Sequence, residues 1–198
     1  MKHLALVLCM AGVVSLSAVP AGATLIVDTG QPPPSSGGST LNSDQWLAAE
    51  FTLSQEYSIT GVEGWMFEVS SGLMTLAIYT DGGSTPGSEL FSTVFTADLP
   101  MFGSANSGWV GVHGLNWALG PGTYWAAFEV RTGQTADFAM PNSPPNPLSG
   151  YAWKGSGSWN QQFSTTGWRV YSEVPEPTTM ALLGAGAVGL IAKRRRVV

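Results

Sequence analysis

Few residues in this 198-residue sequence have the type and spacing to do chemistry. His113 is the only histidine between Thr24 and Glu173, and the single cysteine, Cys9, lies before that stretch. A zinc or copper site would have almost no ligand set there. A Ser-His-Asp arrangement would rest on His113 alone, and no Gly-x-Ser-x-Gly elbow surrounds a serine. His113 reads more simply as a partly exposed residue at a strand end. Glu63 and Glu68 sit among aromatics and are the best candidates for a paired-carboxylate glycosidase, whose acids stand ~5–9 Å apart. Their odd spacing, however, puts them on opposite faces of a regular strand. Solvated strand faces are the simpler reading, and no enzyme activity is expected. Calcium needs only oxygens. Asp28, Asp44 and Asp81 could supply them from loops, but no loop holds a spaced Asp/Asn ladder and Asp81 reads as a turn former. No cofactor is therefore expected, and a structural calcium is left without assigned ligands.

Binding is better provided for. Trp153, Trp159 and Trp168 fall in a Gly/Ser-rich closing segment with Asn160, Gln161 and Gln162 between them. A pyranose has an apolar face and a polar rim, so flat rings beside amides suit a sugar-stacking surface. Trp153 and Trp159 are the candidate stacking residues. Trp168 alternates with Val170 and reads as core.

The elements that must position these residues are strands. Thr24–Asp28 opens the domain, and Gln31–Thr40, with three prolines followed by Ser and Gly, reads as an irregular linker. Trp46–Leu53 alternates, with Leu47, Ala49, Phe51 and Leu53 on one face. Tyr57–Val69 is longer and holds Gly61 and Gly64, which suggests a bend or bulge. Leu73–Thr80 and Leu90–Thr96 flank a turn over 81–87. Trp109–Val112, the alternation of Leu115, Trp117 and Leu119, Thr123–Arg131 and Ala136–Met140 follow. A second proline-rich loop spans 141–149. Tyr151–Lys154 and Gly167–Glu173 close the domain, separated by the Gly/Ser/Gln-rich residues 155–166. No helical period is sustained anywhere in it. The expectation is all-β: an antiparallel two-sheet sandwich, jelly-roll-like.

Charge divides the chain. Five of the eight Lys and Arg lie in the two ends, and residues 24–173 keep only Arg131, Lys154 and Arg169 against twelve of the thirteen acids. That segment is near −9 by this count, which repels phosphate backbones and argues against nucleic acid. It has no cysteine, so stability must come from its core.

Both ends read as addresses. Lys2 and His3, an apolar run from Leu4 to Leu16, and the small-x-small site Ala21-Gly22-Ala23 form a secretory signal peptide over 1–23, with cleavage at Ala21 and Ala23 and an N-terminal signal helix. At the other end, Pro175, Glu176 and Pro177 keep the chain extended and remove backbone donors. An uncharged Gly-rich run, 180–192, follows and is short for a spanning helix, which wants about 20 apolar residues. It is expected to be a short transmembrane helix, with the basic end 193–196 cytoplasmic.

The order Pro-Glu-Pro, apolar stretch, then Arg194, Arg195 and Arg196 resembles the PEP-CTERM sorting signal of Gram-negative bacteria that secrete exopolysaccharide. The resemblance covers 174–198. It implies recognition near Pro175, Glu176 and Pro177 by an exosortase, a membrane-embedded cysteine peptidase, after export by the secretion machinery. Residues 24–173 resemble the choice-of-anchor β-sandwich domains that often precede such tails, in their Phe-Thr strand, Ile-Tyr-x-Asp followed by Pro-Gly-x-x-Leu, and Gly-Thr-Tyr-Trp hairpin. That likeness implies a fold, not an activity. The expected protein passes transiently through the inner membrane to the cell surface or extracellular matrix (biofilm) and has a structural or adhesive role. A carbohydrate-binding module for exopolysaccharide is the alternative, and a glycan-active enzyme the third reading.

Overall fold

The structure, a computed structural model, describes residues 23–33, 36–99 and 107–173. Twelve strands and no helix are present among them. They are β1 (Thr24–Asp28), β2 (Gly38–Leu41), β3 (Trp46–Leu53), β4 (Tyr57–Ser70), β5 (Gly72–Asp81), β6 (Pro86–Ala97), β7 (Ser107–Leu119), β8 (Gly122–Glu129), β9 (Asp137–Pro141), β10 (Tyr151–Lys154), β11 (Trp159–Gln162) and β12 (Trp168–Glu173). The first sheet has the order β1-β12-β4-β9-β2, with β7 on the other side of β4, and the second has β11-β10-β3-β8-β5-β6. All the pairings are antiparallel. The all-β, two-sheet expectation holds. The expected signal helix and the transmembrane helix over 180–192 lie outside the described residues.

Alternation sets the core. Leu47, Ala49, Phe51 and Leu53 of β3 are buried on one face, as are Trp168 and Val170 of β12. They meet Met74, Leu76 and Ile78 of β5, Val62 and Met66 of β4, and Ala126 and Phe128 of β8. Phe128 stacks on Trp168 across the two sheets, centroids 4.9 Å apart at 21°. Gly64 makes room for that contact, since a Cβ there would come within 2.9 Å of Phe128 Cε2. All twelve strands and every residue of this core lie within 24–173.

Four local expectations are corrected. Residues 38–40, read as the end of the linker, form β2 together with Leu41, because their backbone groups find partners on β9 (Gly38 opposite Pro141, Leu41 opposite Phe138). Residues 159–162, read as part of a spacer, form β11 and pair with β10. Pro86 and Gly87, read as turn, begin β6, where an edge strand tolerates a proline as its first residue. Trp109–Val112 and the 115–119 alternation are one strand, β7, joined through Gly114 at φ +75°. The bend expected near Gly61 is a register shift between Ile59 and Gly61.

Candidate functional site

The outer face of the second sheet carries a thin apolar layer of its own. Neighbouring strands place Ala48, Ala127, Ala77 and Ala152 side by side, all buried. Methyl groups are low enough for rings to lie over them. Trp125 is buried there, with Tyr79 and Trp159 packed alongside. Trp159 meets Tyr79 edge-on at 5.9 Å and Trp46 at 6.4 Å. Lys154 Nζ lies 4.6 Å from the centre of the Trp46 ring and 5.8 Å from that of Trp159. A cation over an indole face is attracted by its quadrupole. Two of the indole N–H groups are satisfied: Trp46 donates to the Val130 carbonyl at 3.0 Å and Trp125 to Asp81 at 3.2 Å.

Beside this layer sits a charged knot. The Glu129 carboxylate is fully buried. One oxygen accepts from the Tyr79 hydroxyl and the other from Arg131 Nε, both at 2.6 Å. Arg131 also donates to Glu89 at 2.7 Å. Burial pushes Glu129 above the usual carboxylate range, against the pull of Tyr79 and Arg131. Burial, then the bond to Glu129, pushes Tyr79 well up. Glu89 is held low: burial opposes this, but bonds from Ser92 and Arg131 outweigh it. Arg131 neutralises a carboxylate that would be costly to keep charged in that place alone. Both oxygens of Glu129 are engaged, so the knot works as an ion-pair lock.

The hairpin of β10 and β11 sorts the sequence candidates. Trp153 stands opposite Asn160, and Trp159 opposite Lys154. Trp153 and Trp159 are thus on opposite faces and form no common surface. Trp153 shares its face with Asn160 and Gln162, at the sandwich edge where Gln162 donates to Ser39 of β2 at 2.7 Å. Trp153 is 38% exposed, and Trp168 is core, as its alternation predicts.

The outer face of the first sheet holds the other candidates. Glu63 of β4 meets His113 Nε2 at 3.0 Å and accepts from the Tyr171 hydroxyl at 2.7 Å. His113 lies within β7, opposite Gly61, and not at a strand end as the sequence suggested; a Cβ on Gly61 would meet its ring at 2.7 Å. Arg169 lies 3.9 Å over the Trp109 ring and bonds Asp28 at 3.2 Å. Glu68 accepts from the Leu99 N–H at 2.6 Å, on the other face of β4 from Glu63. The two acids are not brought together. Nor are the three aspartates. Asp28 accepts from the Gly30 N–H and Arg169, Asp81 from the Gly83 N–H and Trp125, and Asp44 sits in the 42–45 turn. Among the described residues no three His, Cys, Asp or Glu side chains are grouped to hold a metal ion.

Sequence reasoning missed the Glu129–Arg131 knot. Its one signal was Glu-x-Arg at strand spacing, which puts both side chains on one face and uses one of only three basic residues in the segment. Of the sorting candidates, Ala23 is exposed ahead of β1. Ala21, Pro175, Glu176, Pro177, Arg194, Arg195 and Arg196 lie outside the described residues.

No curated protein and no solved structure matches this chain. A family match covers its last stretch and takes in only Glu173, the last residue of β12, from the sandwich. Residues 173–196 match the PEP-CTERM protein-sorting motif, and this chain is accordingly an exported protein of the kind an exosortase sorts and processes.

Proposed function

We propose that the sandwich has a structural or adhesive role at the cell surface or in the extracellular matrix, and that it grips carbohydrate, exopolysaccharide being the fitting class. In this reading the tail over 180–192 holds the chain in the inner membrane only until processing. One observation carries the carbohydrate reading. Of the eight tryptophans, Trp153 alone is in the exposed range, and it shares a strand face with the exposed amide of Asn160. Several of the others already have ring partners. Arg169 covers Trp109, Lys154 lies over Trp46 and Trp159, and Phe91 stacks on Trp117 at 5.5 Å. A free indole beside an amide can stack a sugar ring and bond its rim.

The role proposed is non-catalytic. The acids best placed for chemistry are engaged: Glu129 by Tyr79 and Arg131, Glu63 by His113 and Tyr171. The test is affinity electrophoresis of the folded protein in gels containing the producer's own exopolysaccharide. Retardation that disappears in Trp153→Ala, with unchanged circular dichroism, is the expected result. Equal retardation of wild type and variant would remove Trp153 from the reading, and no retardation of either would leave the structural role alone.

A further inference from the structure

The two sides of the sandwich are built differently. On one side the outermost strands are short: β1, β2 and β11 have 5, 4 and 4 residues. On the other, the second sheet ends in β6 with 12 residues, and the first ends in β7 with 13. These two long edges lie together, since Phe91 of β6 stacks on Trp117 of β7. Among the described residues no strand pairs with the free side of either. A long unpaired edge is a ready template for another strand, and proteins usually blunt one with lysine, proline, bulges or charge.

This edge carries little of that protection. β6 and β7 contain one Asp, Glu, Lys or Arg between them, Glu89, and Arg131 already pairs with it. The irregular pairings of β6 fall at its beginning, opposite Tyr79 and Asp81. From Phe91 to Ala97 the strand pairs regularly with Ile78 to Gly72, has no charge and no proline, and is rich in aromatic and β-branched residues. Val94, at the centre of that run, is 56% exposed. Phe91, Phe95, Leu115 and Trp117 close the sandwich here and remain only partly buried.

We infer that this edge binds a second copy of the chain, β6 to β6 in antiparallel register about a two-fold axis near Val94. The occupant follows from charge and shape. The domain is strongly acidic, so two copies repel unless they meet where the charge is absent, and the Phe91–Ala97 run is such a place. An isologous strand pair matches a segment with itself and joins the two second sheets into one continuous sheet. The inference is independent of the carbohydrate reading. A paired sandwich would present two Trp153 sites to one repeating polymer, and avidity would follow.

The test is the mass in solution of the exported chain, by light scattering across a concentration series. The expected result is a concentration-dependent dimer. Val94→Lys, which sets two lysines against each other at the axis, should return the mass to that of the monomer. Val69→Lys, at a site 62% exposed on β4, should leave the dimer intact. Val94→Cys, in a segment without other cysteines, should form a disulfide-linked dimer under mild oxidation. If Val94→Lys fails to fold, Thr96→Lys takes its place. A monomer at all concentrations, or a dimer that survives both lysine variants, overturns the inference.

Discussion

Trp153 and Trp159 stand on one hairpin and face opposite sides of its sheet, because Trp153 is opposite Asn160 and Trp159 opposite Lys154. Their substitutions should separate cleanly. Trp159 packs between Tyr79 and Trp46 over the alanine floor, so Trp159→Ala should cost about 2–3 kcal/mol, somewhat below a fully buried tryptophan. Trp153→Ala should cost less than ~1 kcal/mol. Urea denaturation of both variants checks the order. A larger loss for Trp153→Ala would mean that its ring is structural.

The Glu129 carboxylate, buried and 2.6 Å from Arg131 Nε, makes the arginine a structural requirement. Arg131→Ala leaves an uncompensated charge in the sheet and should cost about 3 kcal/mol. Lysine should rescue it poorly, since it lacks the fork that reaches Glu129 and Glu89 together. Glu129→Gln should be milder, near 1 kcal/mol, because no charge is stranded. The pH dependence supplies a check. Glu129 is already raised by burial, and losing Arg131 raises it further. An acid raised on folding favours the folded state when protonated, so its contribution is present at low pH and lost as pH rises. The Arg131→Ala deficit should therefore be larger at pH 8 than at pH 5. A deficit independent of pH would remove Glu129 as its cause.

Alternation made most of the strands legible, because a period of two marks a half-buried strand wherever a core lies on one side. Leu47 to Leu53 and Trp168 to Val170 are such cases. β2 and β11 were hidden for a physical reason. Gly-Ser-Thr-Leu and Trp-Asn-Gln-Gln have no apolar alternation, and they are strands because β9 and β10 offer them backbone partners. The fate of the candidate residues depended on register, which sequence does not display. The closing tryptophans were visible, but not that Trp153 and Trp159 diverge. Arg131 was conspicuous by its rarity, but its tie to Glu89, 42 residues away, needs the pairing of β5 with both β6 and β8.

Tyr151 ties the proline-rich loop to Thr166, two residues before the last strand. Its hydroxyl accepts from the Leu148 N–H at 2.9 Å and donates to the Thr166 carbonyl at 3.2 Å. Tyr151→Phe should cost about 1 kcal/mol at neutral pH. Burial also pushes the Tyr151 hydroxyl up to about 12. Its contribution is complete below the ordinary tyrosine value of about 10 and is lost as pH rises from there to about 12, because only the unfolded chain ionises in that window. The phenylalanine variant should lose stability less steeply across it. Identical alkaline limbs would contradict a buried, neutral Tyr151.

Gly111 allows β7 to lie against β4. A Cβ there would run into the Val62 carbonyl oxygen and stand 2.7 Å from Glu63 Cα. Both are backbone in a paired strand and cannot turn aside. Gly111→Ala should cost at least ~2 kcal/mol despite the better strand propensity of alanine. By contrast, Gly157→Ala meets nothing within 4 Å and should be nearly neutral. Thermal denaturation of the pair separates a steric requirement from a general intolerance of substitution at glycine.

The sorting motif at 173–196 makes its own prediction, and it can be split into shape and charge. Pro175 and Pro177 favour an extended, donor-poor chain, whereas Glu176 supplies the one acid after Glu173. Replacing both prolines with alanine would let the helical preference of the apolar run extend toward the motif. Glu176→Gln keeps the extended shape and removes only the charge. If the processing enzyme reads an extended peptide, the alanine variant should accumulate in the membrane fraction with tail peptides detectable by mass spectrometry, while Glu176→Gln is still processed. If it reads the carboxylate, the glutamine variant should accumulate as well. Normal release of both variants would show that processing does not depend on Pro175-Glu176-Pro177 at all.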